Sequence, residues 1–300
     1  MKNTKSSSST ALILGLVGLT AFLSTAQAAT IGYWRFEDDV LTDSSGNGNT
    51  LSVITGATKE AIPVSGNGSE FSSPIPQTGD SNGSMASFNG SGSLSVADPF
   101  GASGLGSFTA EAYINLGSTS SNTQYVMSQY DANNGDRSWG LGIADSNGTL
   151  SAGANEMYLL VSPDGDNPTT LLPLGLTLTT GVDYYIAFSF DGSTGTNDVT
   201  FYYQDLTNGG TLMSTIGSST MNKVFDSSAK FRISGTGNTN IGGKFTGDID
   251  EVKISDTVLS SSELLIAIPE SSTLSLFSFA GLALVFGLRG RKRLHGKESV

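Results

Sequence analysis

Between Phe108 and Leu116 the side chains alternate without a break, with Phe108, Ala110, Ala112, Ile114 and Leu116 in one set and Thr109, Glu111, Tyr113 and Asn115 in the other. A period of two puts the two sets on opposite faces of an extended strand, whereas an apolar face on a helix needs a period near 3.6. The same period recurs in Ile31 to Glu37, Tyr125 to Tyr130, Met157 to Ser162, Val182 to Phe190 and Val199 to Gln204. The 38 glycines, many in Asn-Gly, Asp-Gly and Ser-Gly pairs, punctuate these runs with turns. Parallel strands would need helical crossovers, and no long amphipathic segment separates the runs. The expected fold is therefore all-β, an antiparallel two-sheet β-sandwich or jelly roll. One helical turn is expected after it, where Ser260 and Glu263 fit a capping box.

The two ends follow other rules. Lys2 and Lys5 precede the apolar run Ala11 to Leu23, which ends in Ala26-Gln27-Ala28. That is the three-part pattern of a secretory signal peptide, a signal helix over residues 1–28 with cleavage expected after Ala28. At the other end Leu274 to Leu288 is apolar and is followed by Arg289, Arg291, Lys292 and Arg293. Physics alone reads this as a C-terminal transmembrane helix whose basic flank stays cytoplasmic, with residues 294–300 left on that side.

The body expected between them, residues 29–268, holds 25 acidic and 8 basic side chains, a formal charge of −17. Such a field repels phosphate backbones, so nucleic acid is excluded as a partner. There is no cysteine, and the single histidine, His295, lies beyond the last apolar run. Thiolate zinc sites and Ser-His-Asp chemistry are thereby removed from the body.

Five stretches, in order, resemble the laminin-G-like, concanavalin A-like jelly roll family: Ile31-Gly32-Tyr33-Trp34-Arg35-Phe36-Glu37, Asp43-Ser44-Ser45-Gly46-Asn47-Gly48-Asn49, Ala86-Ser87-Phe88-Asn89-Gly90, Ser107 to Ile114, and Phe245 to Ile254. The resemblance implies two curved antiparallel sheets with the first and last strands paired, and a role in carbohydrate or protein binding. It also implies structural calcium at a sheet edge, for which Asp43, Asn47, Asp250 and Glu251 would supply oxygens. The alternative for Asp43 to Asn49 is a plain Asp-Ser turn with Asn-Gly supplying the positive φ. In the closing strand Ile249 falls on the face opposite Val252 and Ile254, which predicts a bulge at Asp250-Glu251 or burial on both faces.

Sugar recognition calls for an aromatic face beside polar hydrogen-bonders. Tyr130 and Trp139 flank the acidic loop Asp131 to Asp136 and are the candidate ligand-binding pair, although Trp139 also opens a core-type alternation with Leu141 and Ile143. Glycan hydrolysis needs two facing carboxylates. Asp248, Asp250 and Glu251 break the alternation that jelly-roll glucanases use, and Glu111 has no second acid two or four residues away. No catalytic residue is assigned, and the chain is not expected to be an enzyme.

The tail carries a second resemblance. Pro269-Glu270, one hydrophobic helix and an Arg-rich end, over residues 269–293, are similar to the PEP-CTERM sorting signal, with Ser271 where a second proline is usual. That resemblance implies processing by an exosortase-type enzyme in a Gram-negative bacterium that makes exopolysaccharide. The expected protein is thus exported, membrane-anchored before processing, and displayed at the cell surface or in an extracellular matrix as a carbohydrate-binding, biofilm-associated module. The competing class is an envelope structural protein with a plain membrane anchor and no ligand.

Overall fold

A computed structural model describes residues 28–37, 41–61, 71, 73–100, 106–148, 151–166, 170–237 and 241–269. The signal segment up to residue 27 and the tail from Glu270 onward lie outside the described residues, as does the expected transmembrane helix. Among the described residues no helix is long and apolar enough to cross a membrane.

The described residues form thirteen strands: β1 (Thr30–Trp34), β2 (Ser52–Ala61), β3 (Ser84–Val96), β4 (Ser107–Leu116), β5 (Gln124–Asp131), β6 (Asp136–Ile143), β7 (Glu156–Val161), β8 (Thr170–Thr177), β9 (Asp183–Asp191), β10 (Val199–Asp205), β11 (Met213–Gly217), β12 (Phe231–Ile233) and β13 (Thr246–Ser255). All pairings are antiparallel. A front sheet runs β11-β10-β9-β4-β13 and a back sheet runs β12-β5-β6-β7-β8. β3 joins them: Ala86 to Asn89 pair with β13, whereas Leu94 to Val96 pair with β12. The chain bends between those halves at Gly90, whose φ is +80° and where a Cβ would stand 2.7 Å from Thr246 Oγ1. Only glycine satisfies both demands.

The two sheets face each other across an aromatic core. Trp139 of the back sheet packs on Phe108 and Phe188 of the front sheet at centroid separations of 5.3 and 5.5 Å. Trp34 stacks on Phe231 at 5.1 Å, and its indole N–H donates to Asn49 O at 2.8 Å. These are the inward sets of the period-two runs, and each of the five rings is fully buried. Outside the back sheet, Tyr158 lies across Gly142, where a Cβ would approach its ring carbon Cζ to 2.6 Å.

The expected pairing of first and last strands is present, with Trp34 opposite Val252 and Tyr33 opposite Lys253. The expected bulge is present too: the register of β13 on β4 shifts between Asp250 and Lys253, and Glu251 takes a φ of +50°. Three strands, β2, β8 and β11, arise from segments whose period was not read as extended. The Ser260 to Ile266 segment is a correction. Ser260 N and Oγ both bond Glu263 Oε2, at 2.9 and 2.6 Å, but the residues form tight turns and not a helix. Buried Leu264 and Leu265 hold the segment against the front sheet, and the Leu265 N–H is given to Glu111 and not to a helical carbonyl. Residues 73–82 also lie on that sheet, anchored by Ile75. We expect Gly142→Ala to destabilise the fold by about 1–3 kcal/mol through overpacking against Tyr158, measured by urea unfolding.

Candidate functional site: a polar cleft over buried carboxylates

The outward side chains of β1, β4, β9 and β13 do not meet open solvent. They are covered by residues 73–85 and by Leu259 to Ile266, which seal an apolar patch of Tyr33, Ile75, Met85, Tyr113, Tyr185, Leu264 and Leu265. Three carboxylates are trapped beneath this cover: Glu111, Asp250 and Glu251 are each 0% exposed. Buried carboxylates must find hydrogen bonds or cations, and these do. Glu111 accepts from Tyr185 Oη at 2.6 Å and from the Leu265 N–H at 2.8 Å, and pairs with Lys253 Nζ at 3.3 Å. Glu251 accepts from the Tyr33 hydroxyl and from Arg35 Nε, the latter at 3.2 Å. Asp250 accepts from Asn82 Nδ2 at 2.7 Å and from the Glu251 N–H at 2.9 Å.

The electrostatics follow from this burial. Loss of solvent, opposed by Tyr33 and Arg35, pushes the Glu251 carboxyl up to about 7. Burial and then the neighbouring Glu251 charge raise Asp250 well above the carboxylate range. Burial and then Glu251 likewise raise the Tyr33 phenol.

Beside this cluster the cover leaves a cleft of about 480 Å³, lined by Thr30, Tyr33, Gln77, Thr78, Lys253 and Glu263 among others. Lys253, held by its pair with Glu111 beneath, lines one side of it, and the residue 77–78 turn lines another, held by the Gln77 N–H to Leu265 O bond at 3.1 Å. Gln77 Oε1 is buried and makes no hydrogen bond among the described residues. Tyr33 contributes an aromatic ring with Arg35 at 5.8 Å from its centroid. An aromatic edge, an ammonium, an amide and hydroxyls in one concave site form a hydrogen-bonding set for a polyhydroxylated ligand.

The four residues expected to share calcium fall in two places, at opposite ends of Tyr33. Asp43 binds the backbone end: Oδ1 accepts the N–H groups of Tyr33 and Ser45 at 3.0 and 2.8 Å, and Oδ2 accepts Ser45 Oγ and the Asn49 N–H at 2.9 and 2.8 Å. Burial raises the Asp43 carboxyl, but these bonds outweigh it and hold the group below its ordinary range. Asn47 presents its amide N–H to Thr30 O and Ile31 O at 2.7 and 3.0 Å, so it acts as a donor. Glu251 binds the hydroxyl end of Tyr33 and already has Arg35 for a cation. These residues do not fit one calcium site, and among the described residues no group of three or more His, Cys, Asp or Glu side chains gathers to hold a metal.

Tyr130 and Trp139 are separated by the back sheet. Tyr130 lies outside it, half-buried, stacked on Tyr125 at 6.4 Å with the Arg137 guanidinium 5.9 Å from its ring. Trp139 is 0% exposed in the inter-sheet core, so its ring offers no face to a ligand. The Trp139-Leu141-Ile143 alternation prevails over the flanking-loop reading because all three face inward. The acidic loop is a turn: Asp131 Oδ1 takes the Asn133 N–H at 3.0 Å and Oδ2 takes Asn134 Nδ2 at 2.7 Å. Of the sorting residues, Pro269 is the exposed end of the described chain. Glu270, Arg289, Arg291, Lys292 and Arg293 lie outside the described residues.

A laminin-G-type family model described as the Concanavalin A-like lectin/glucanases superfamily matches residues 88–265. The chain belongs to that superfamily. As a concanavalin A-like domain it is similar to domain 4 of AbnA, a GH43 extracellular arabinanase from Geobacillus stearothermophilus solved in complex with arabinotriose. That likeness has 18% identity, a TM-score of 0.52, and coverage of 81% of this chain and 99% of that one. It is also similar to the binding domain of Paraclostridial Mosquitocidal Protein 1, at 15% identity and a TM-score of 0.53, covering 79% of this chain and 51% of that one. This chain therefore spans about half of that second protein. No curated protein matches the sequence. At these identities the solved structures establish the fold, and the superfamily includes both lectins and glucanases.

Tyr33, Gln77, Thr78 and Lys253 were not among the sequence candidates. For Tyr33 the sequence signal is that the outward sets of the Ile31–Glu37 and Phe108–Leu116 runs, Tyr33 with Arg35 and Glu111 with Tyr113, mix aromatic rings with charge, as a covered face does.

Two outcomes are expected. An acid that titrates near 7 in the fold and near 4.5 when unfolded binds more protons folded, so its contribution to stability declines as pH rises through that window. For Glu251 the full decline is roughly 3 kcal/mol, and Glu251→Gln should flatten the stability curve between those pH values. Asp43→Ala should cost roughly 2–3 kcal/mol by leaving several N–H groups unpaired, while EDTA leaves the unfolding midpoint of the unaltered protein unchanged. A midpoint that falls in EDTA would refute the hydrogen-bonded role of Asp43.

Proposed function

We propose that this chain is an exported glycan-binding protein that holds its sugar without cleaving it. The observation that carries the reading is the polar cleft on the front sheet, which Gln77, Thr78, Tyr33 and Lys253 line together. Membership of a lectin/glucanase superfamily supports it, as does the arabinotriose complex of the similar arabinanase domain. The body's charge of −17 favours a neutral glycan over an acidic one, because approach of a polyanion is opposed at long range.

The non-catalytic part of the reading rests on the carboxylates. A retaining glycosidase needs two carboxyl groups about 5–5.5 Å apart and open to the sugar, one to attack and one to donate a proton. Glu111 and Glu251 are fully buried, and their oxygens are engaged by Tyr185, Leu265, Lys253, Tyr33 and Arg35. They hold the cover in place and do not face a substrate.

Export and display come from the ends. The leader to Ala28 would direct secretion, and an exosortase-type enzyme would act at Pro269-Glu270 while the apolar run Leu274 to Leu288 and its basic flank Arg289, Arg291, Lys292 and Arg293 hold the precursor in the membrane. Ala29 and Asp256 exchange hydrogen bonds, N–H to Oδ1 at 2.9 Å and N–H to O at 3.0 Å, which ties the start of the body to the end of β13. Display at the cell surface or release into an exopolysaccharide matrix would follow from the processing of the tail.

The test is a glycan array probed with the exported protein, beside a hydrolysis assay on the same sugars. Neutral oligosaccharides should bind and remain intact, and Gln77→Ala should weaken binding at least tenfold with an unchanged unfolding midpoint. Binding indifferent to Gln77→Ala would move the site elsewhere, and binding to nothing would favour an envelope structural protein.

A further inference from the structure

The two sheets present four outer strands, and three of them are guarded against pairing with another chain. β8 contains Pro173 and a register shift on β7, β2 has two register shifts on β3, and β1 is five residues long with a shift of its own. Prolines, charges, bulges and shortness are the usual means of blocking an exposed sheet edge. β11 is as short as β1 but has no proline, charge or bulge. It pairs with β10 in unbroken register from Met213 to Gly217, and nothing else pairs with it among the described residues.

The chemistry around β11 is equally distinct. No charged residue occurs between Asp205 and Lys223, although the body as a whole carries −17. Met213 and Ile216 are 50% and 68% exposed, large apolar side chains on an edge that faces water. Thr215 Oγ1 bonds Leu174 O of β8 at 3.1 Å, which fixes the position of β11 through a side chain and leaves no backbone ladder between the two edges.

We propose that β11 is a self-association edge, at which a second copy of this chain adds its own β11 antiparallel. A two-fold axis generates such a pair from one patch, so one uncharged strand suffices for both partners. The charge distribution selects a second copy in particular. Two bodies of −17 repel over most of their surfaces, and the uncharged stretch around β11 is where that repulsion is least. Pairing continues the front sheet across the axis and gives Met213 on one face and Ile216 on the other a cross-strand neighbour in both copies.

The absence of cysteine makes the test direct. Single substitutions Met213→Cys, Ser214→Cys, Thr215→Cys and Ile216→Cys in the full chain, oxidised mildly at the cell surface, should give disulfide dimers whose yield peaks at the residue nearest the axis. Ser193→Cys, on an exposed turn of the same front sheet, should give little. Adding Ile216→Lys to the best crosslinker should lower its dimer yield at least tenfold, and raising salt should increase the yield of the parent by screening the repulsion. Dimers absent at all four positions, as efficient at Ser193, or indifferent to Ile216→Lys would overturn the proposal. None of these readouts depends on a sugar, so failure of the glycan reading leaves this result standing.

Discussion

Burial of three carboxylates on the outer side of the front sheet is the constraint around which this molecule is arranged. Glu111, Asp250 and Glu251 cannot be left unpaired away from water, and each calls in partners from elsewhere in the chain. Tyr33 comes from β1 and Arg35 from just after it, Asn82 from the segment before β3, Tyr185 from β9, Lys253 from β13 and the Leu265 N–H from the closing turns. These contacts fix the cover that walls the cleft. The bulge at Asp250-Glu251 belongs to the same arrangement, because it lets two consecutive acids both reach buried partners while Ile249, Val252 and Ile254 stay in the inter-sheet core.

Two faces of the front sheet therefore do different work. The inner face is a dry aromatic contact in which Trp139, Phe108, Phe188, Trp34 and Phe231 lock the sheets together. The outer face is a charged and aromatic layer under a thin cover, with one opening lined by hydrogen-bonding groups. Glu111 and Asp250 serve as anchors for that cover, through the Leu265 N–H and Asn82 Nδ2.

Much of this was legible residue by residue. The inward faces of β1, β4, β6 and β9 follow from alternation, because a period of two has one geometric meaning. The slip at Ile249 announced the bulge for the same reason. Tyr130 and Trp139 show where such reading ends: nearness to a loop suggested a joint platform, but the pleat sent one ring outward and the other into the core. Asp43 shows another end, since its four acceptor bonds depend on how the following turn folds back onto β1.

By itself the sequence determined the fold class, the strand faces and the absence of thiol and histidine chemistry in the body, because each depends only on local order and composition. Tertiary structure decided the rest. Glu111 stands alone in the chain, and only strand order brings Lys253, Tyr185 and the Leu265 N–H to it from 142, 74 and 154 residues away. The covered outer face, the cleft beside it and the unguarded edge at β11 are all products of long-range pairing, and periodicity carries no information about which strand will lie beside which.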